Sequence, residues 1–295
     1  MYKQIERNKR NSIFLVILFF VILGVVGYFF DLYYGSGQGY FPYVGVIVAI
    51  SFSLIFTSIS YFSGDKIALA STGAKEIKKS DNPYLYRMVE NLAITAGTPL
   101  PKIYLIKDKS INAFATGRNP QNASIAVTVG ALDQLENEEL EGVIAHELSH
   151  IKNYDIRFMM LVAVLVGSIS IIADMFLRIS LFGGRRSENK NSNPILLIVG
   201  LIFILISPII AELIKLAISR KREYLADGSG ALLTRYPEGL ARALEKISMQ
   251  NVPMKKASTA TAHLFIANPF AKNKMKSYFS THPPVQERIK KLRAM

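Results

Sequence analysis

Two stretches of the chain carry no charged residue: residues 13–30, IFLVILFFVILGVVGYFF, and residues 43–63, YVGVIVAISFSLIFTSISYFS. An α-helix rises about 1.5 Å per residue, so the first run reaches about 27 Å and the second about 32 Å, each close to the thickness of one hydrocarbon core. A chain with two such runs folds partly in lipid, where backbone amides must be bonded within their own helix. Lys3, Arg7, Lys9 and Arg10 precede the first run, and the loop between the runs, DLYYGSGQGYFP, has no Lys or Arg. The positive-inside rule then predicts a cytoplasmic N-terminus, an external loop, and a return to the cytoplasm after residue 63. No clear A-x-A cleavage site is present and a second run follows at once, so the first reads as an anchor rather than a secretory signal.

The remaining sequence excludes some chemistry. There is no cysteine, so disulfides, thiolate metal sites and thiol nucleophiles are absent. Any metal must be held by histidine, carboxylate or water. The net charge is +13, and it is uneven: residues 219–295 carry 15 Lys and Arg against 5 Asp and Glu, whereas residues 64–157 carry 11 against 12. In a chain with membrane runs, a basic segment of this kind favours anionic lipid head groups. No aromatic-interleaved basic motif of a nucleic-acid module is visible, so no nucleic-acid partner is expected.

The organisation reads as five parts: a cytoplasmic N-terminus (1–12), a transmembrane hairpin (13–63), a soluble part (64–157), a second hydrophobic pair (158–182 and 195–218), and a soluble, mostly helical part (219–295). Within 64–157, NPYLYRMVENLAITAG reads as an amphipathic helix ending at Gly97. KIYLIKD and ASIAVTVG alternate as strands do, and INAFATG is a third, short candidate. ENEELEGVIAHELSHIKNYD reads as a helix with acids in its first turn, as the helix dipole favours. The second hydrophobic pair is interrupted by Asp174 and Arg178, then by Pro208, Glu212 and Lys215. Charges inside a span face protein or water, and the expectation is that both segments span. The fold class expected is a membrane α-helical protein bearing an α+β domain, mainly helical with a small antiparallel sheet.

The chemistry concentrates at HELSH, residues 146–150. Helical positions i and i+4 point the same way, so His146 and His150 present two imidazoles to one ion. Glu147 lies about 100° further round, beside the ion but not on it. Zinc suits two nitrogens and one oxygen, with a fourth position for water. The third ligand is open at this level. Glu223 and Asp227, in SRKREYLADGSG, are also i and i+4; Glu223, Asp227 or a more distant carboxylate each satisfies the chemistry. With Glu223 as ligand, Asp227 is placed to hydrogen-bond the second ring nitrogen of a ligand histidine. His263 has no ligand partner at helical spacing and reads as structural. The histidines precede the second hydrophobic pair and Glu223 follows it, so zero or two crossings keep them on one side, and one crossing does not.

VIAHELSHIKNYD, SRKREYLAD, INAFATG and STHPPVQERI together resemble the signature segments of the HtpX-type membrane zinc metalloproteases, relatives of the CAAX prenyl endoprotease. The resemblance covers nearly the whole chain. It implies a gluzincin-type catalytic domain holding one Zn2+ through His146, His150 and Glu223, with Glu147 as general base. It sets His282 near the site as a second electrophile, and Arg288 as an anchor of that loop or the partner of an acidic group. It implies that Asn112, Ala113, Phe114 and Ala115 form an edge strand that binds extended peptide through main-chain hydrogen bonds. The implied partners are polypeptides, membrane proteins foremost, and the lipid bilayer. The implied location is the bacterial inner membrane with the catalytic domain in the cytoplasm, and the implied role is stress-linked quality control of misfolded or damaged membrane proteins. Other readings are a CAAX-type or other processing protease, a metal-transport or metal-sensing membrane protein, and a catalytically dead scaffold. The prenyl-protease relatives have more spans than the four available here. The intramembrane charges lack the carboxylate and histidine clusters of a metal path, and nothing is visibly missing from the site.

Overall fold

A computed structural model describes residues 2–34, 41–182, 219–250, 252–257, 261–270 and 283–295. His282, the 183–194 loop, the 195–218 segment with Glu212 and Lys215, and the side chains of Asp174 and Arg178 lie outside this set.

Helix α1 spans Tyr2–Tyr34 and α2 spans Val44–Thr72. Both are long and apolar enough to cross a bilayer. Each outruns its uncharged stretch. Helix α1 begins in the basic leader, and α2 continues to a glycine cap at Gly73, whose φ of 71° is the left-handed geometry of such caps. On α1 the buried side chains are Asn8, Ser12, Leu15, Phe19 and Ile22. That alternating four-and-three spacing is a single stripe down the helix. Ile13, Phe14, Ile17, Val21 and Val25 lie off the stripe and are exposed, as lipid-facing side chains should be. At the other end of α1, Asp31 accepts hydrogen bonds from the backbone N–H groups of Gly45 and Val46, at 2.6 and 3.0 Å, and so closes the start of α2.

The chain after α2 continues with β1 (Lys75–Glu76), α3 (Pro83–Ala96), β2 (Lys102–Ile106), β3 (Ala113–Gly117) and β4 (Ala123–Thr128). As expected, α3 stops against Gly97, in the left-handed region. The strand order is β1-β2-β4-β3. Strands β1 and β3 run antiparallel to their neighbours, but β2 and β4 are parallel. The sheet is therefore mixed, which corrects the antiparallel sheet expected from sequence. The chain leaving β2 crosses to the far edge, forms β3 there, and returns through the turn at Pro120–Asn122 into the gap beside β2. That detour reverses the direction in which β4 meets β2.

Helices α4 (Val129–Gln134) and α5 (Asn137–Lys152) follow, then α6 (Asp155–Phe182), α7 (Arg220–Thr234), α8 (Pro237–Met249) and α9 (Val285–Leu292). One core joins α3, the sheet, α5 and α8 through Leu85, Val89, Ile125, Ile144, Leu148 and Leu240, with Ile144 and Leu148 fully buried. A second seam packs Leu15, Phe19 and Ile22 of α1 on Phe158, Leu161, Val162, Leu165, Val166 and Ile169 of α6. The two cores meet at the turn between α5 and α6, where Tyr154 adopts φ 61°. This turn brings the end of the candidate zinc helix to the foot of the membrane helices.

Candidate active site

Helix α5 starts with a capping box: Glu139 accepts from the backbone N–H of Glu136 at 2.8 Å, and the side chain of Glu136 accepts in return. From there its residues Leu140 to Ile151 are almost all buried, His146, Glu147 and His150 included. Helix α7 crosses it closely. A Cβ built on Gly230 would lie 3.0 Å from the backbone nitrogen of His146 and 3.2 Å from its Cα. Glu223, Asp227 and Gly230 follow four-and-three spacing, so the face that touches α5 is the face that carries the carboxylates. Gly230→Ala is expected to push the helices apart, to cost about 1–3 kcal/mol of stability, and to weaken zinc binding. Thermal denaturation and a zinc titration check this; wild-type values for both would show that the close approach is not needed.

The side chains converge. His146 Nε2 lies 3.2 Å from His150 Nε2, and Glu223 places Oε2 3.7 Å from the first and Oε1 3.7 Å from the second. The outer ring nitrogens are held by two other carboxylates. His146 Nδ1 is 3.0 Å from Asp227 Oδ1, and His150 Nδ1 is 3.0 Å from Asp155 Oδ2. With a proton on each Nδ1, facing its carboxylate, the two Nε2 lone pairs would be free to face a metal ion. Arg288, fully buried, donates to Asp227 through Nε at 2.9 Å and Nη2 at 2.7 Å. Burial would raise the Asp227 carboxyl, but the guanidinium and the contact with His146 outweigh it and hold the group well below the usual carboxylate range. Burial likewise pushes the His150 imidazole down. The hydrogen bond to Asp155 and the nearby Glu223 and Glu147 carboxylates outweigh it and bring it up to about 9. The centre attracts positive charge.

These residues fit zinc. Two donors about 2.0–2.1 Å from one ion at a tetrahedral angle lie about 3.3–3.4 Å apart. The two imidazoles meet that spacing, and the three donor groups all lie within 4.8 Å of one another and are buried. Two lone pairs and a carboxylate turned to one buried point need a cation between them.

The profile of peptidase family M48 matches residues 79–295. The chain belongs to peptidase family M48. It is an M48 zinc metalloprotease, and its buried His146, His150 and Glu223 are consistent with one bound zinc. It is 47% identical over 294 residues to the "Protease HtpX homolog" of Dictyoglomus turgidum, covering 100% of this chain and 94% of that one. It is 44% identical over 306 residues to the "Protease HtpX homolog" of Lactobacillus helveticus, covering 100% of both. Its fold is similar to that in the crystal structure of S. mikatae Ste24p, with a TM-score of 0.54 and 19% identity, over 99% of this chain and 67% of that one. The HtpX-type resemblance read from the signature segments is thus borne out.

The other expected residues fall in different places around the M48 centre. Asp227 meets His146, and Arg288 pairs with the acid Asp227. Strand β3 is at the sheet edge, and the backbone N–H of Ala115 donates to the Glu147 carboxylate. Further along that edge the Ala113 carbonyl already accepts from Ile266 at 3.0 Å. Asn112 holds Ala267 through both amide atoms, donating to its carbonyl at 3.1 Å and accepting from its N–H at 3.3 Å. Phe114 is fully buried and meets Phe265 edge to face. His263 is structural: it is buried, and its Nε2 lies 3.0 Å from the carbonyl of Met159. Sequence reasoning missed Asp155. It reads there as the tail of the zinc helix, whereas the turn at Tyr154 ends α5 and makes Asp155 the first residue of α6. An acid five residues after a ligand histidine and across a break was the available signal.

Proposed function

We propose that the chain is an endopeptidase that hydrolyses misfolded or damaged membrane proteins at the cytoplasmic face of the bacterial inner membrane, as part of quality control under stress. The observation that carries this reading is the contact between α1 and the zinc centre. Asn8 donates to the carbonyl of Asn153 at 2.9 Å and to the Asp155 carboxylate. The centre therefore lies level with the end of α1 that bears Lys3, Arg7, Lys9 and Arg10, the end that the positive-inside rule keeps in the cytoplasm. A site at that height meets chains as they leave the bilayer.

Zinc, when bound, acidifies a water and polarises the scissile carbonyl. The Glu147 carboxylate takes the proton of the attacking water and returns it to the leaving amine. Burial raises its pKa, opposed by the neighbouring His146 and His150, and a stronger base suits this task. The N–H of Ala115 holds that carboxylate in place. Asp227 and Asp155 keep the two ligand imidazoles in one tautomer, and Arg288 keeps Asp227 ionised. Substrate backbone adds to the β3 edge at Ala115, where sequence matters little. His282 is retained in this proposal as a second electrophile for the carbonyl oxygen.

Orientation is tested in this cysteine-free chain by single cysteines. Ser36→Cys, in the loop between α1 and α2, is expected to react with an impermeant maleimide in intact cells, and Ser80→Cys, on the zinc domain, only after lysis. Labelling of Ser80→Cys in intact cells would turn the site outward and overturn the cytoplasmic reading.

A further inference from the structure

The contact of Asn8 with the zinc centre does more than mark its height. Asn8 is 1% exposed, although it sits on a helix whose other faces are open. Its Nδ2 group bridges the Asn153 carbonyl and Asp155 Oδ1. The second oxygen of the same carboxylate, Oδ2, is the one that holds His150 Nδ1. An amide on α1 and an imidazole on α5 thus share one buried carboxylate through direct contacts.

Asn8 also lies on the stripe that carries Leu15, Phe19 and Ile22 into α6. A buried amide in an apolar seam is costly wherever it is unsatisfied, so such a residue fixes the register of two helices. Sliding α1 by one turn, about 5.4 Å, would strand the Asn8 amide and release one side of Asp155. Register along the membrane seam and orientation of His150 therefore meet at the Asp155 carboxylate.

We propose that Asn8 is a positioning residue of the zinc centre, acting through Asp155 on His150, so that the first membrane helix is a working part of the active site as well as its anchor. This rests on His150 as a zinc ligand.

The test is a double-mutant cycle read as zinc affinity, measured by chelator competition on the full-length apo-protein in nanodiscs. Removal of an outer partner of a ligand histidine typically weakens metal binding about 10–100-fold. Asp155→Ala is expected in that range and Asn8→Ala near tenfold. The double variant should bind no more weakly than Asp155→Ala alone, because Asn8 has then lost the group through which it acts. With zinc saturating, Asn8→Ala should lower kcat and leave KM unchanged. Ser12→Ala, on the same stripe and bonded through its hydroxyl to the Asn8 carbonyl, should bind zinc as wild type does. Equal losses from Asn8→Ala in both backgrounds would assign its effect to helix packing and overturn the proposal, as would wild-type affinity. If Asn8→Ala fails to insert, Asn8→Leu keeps the volume and the apolar seam and must still lose affinity. His150→Ala separates the premises: tight zinc binding by that variant would remove the ligand itself and the proposal with it, whereas cleavage by Glu147→Gln would overturn only the general base.

Discussion

Glu147→Gln is expected to keep zinc at wild-type stoichiometry and to lower peptide hydrolysis about 10²–10⁴-fold, the usual contribution of general acid–base catalysis. Gln has the shape of Glu and can still accept from the N–H of Ala115, so the local fold should hold. What it lacks is a carboxylate to take the water proton. The two readouts decide between different readings of the site. Glu147 stands beside His146, His150 and Glu223, the group that could hold the metal, without belonging to it, so zinc content should not move. Cleavage of casein, or of the chain itself, equal to that of wild type would exclude Glu147 as the base. Loss of zinc together with activity would make Glu147 a fourth ligand. Stripping zinc from the wild type with a chelator should abolish cleavage to the same floor, and adding zinc back should restore the wild type but not the variant.

Arg288→Ala is expected to destabilise the folded protein by about 3–5 kcal/mol, the cost of removing one partner of a buried ion pair. Arg288 is 0% exposed and grips Asp227 with two hydrogen bonds. Without it Asp227 is a buried charge with His146 as its remaining support. Zinc affinity should fall as well, by about 10–100-fold, because Asp227 orients a ligand imidazole. Arg288→Lys should rescue little of either loss, since an ammonium cannot reproduce the two-pronged fork. Chemical denaturation and zinc competition measure the two effects separately. A variant as stable as wild type would mean that Asp227 finds another cation, and the role assigned to Arg288 would fail.

The zinc helix was legible because its information is local. His146 and His150 share a face through spacing alone, and any helix would bring them together. Glu223 was not legible in the same way. Its approach depends on α7 crossing α5, and nothing in the local pattern separates it from Asp227; the resemblance to known signature segments made that choice. The strands were visible as alternating segments, but the parallel pairing of β2 with β4 was not, because it depends on β3 having gone to the far edge. Helix α1 looked shorter than it is, since hydropathy stops at Ser12 whereas the backbone continues through the basic leader. That shortfall hid Asn8: an uncharged amide among Lys and Arg carries no periodic signal until the buried stripe on α1 is traced. His282, and whether 158–182 and 195–218 span, remain expectations read from sequence.

The order in which the site's parts occur along the chain has a consequence for biosynthesis. Asn8 comes first, the two histidines and Asp155 follow, then Glu223 and Asp227, and Arg288 comes after them all. Translation delivers them in that order. While α1 and α2 are entering the bilayer, neither the metal's carboxylate ligand nor the arginine that steadies its partner has yet been made. A nascent chain therefore carries no finished hydrolytic centre beside its own emerging hydrophobic helices.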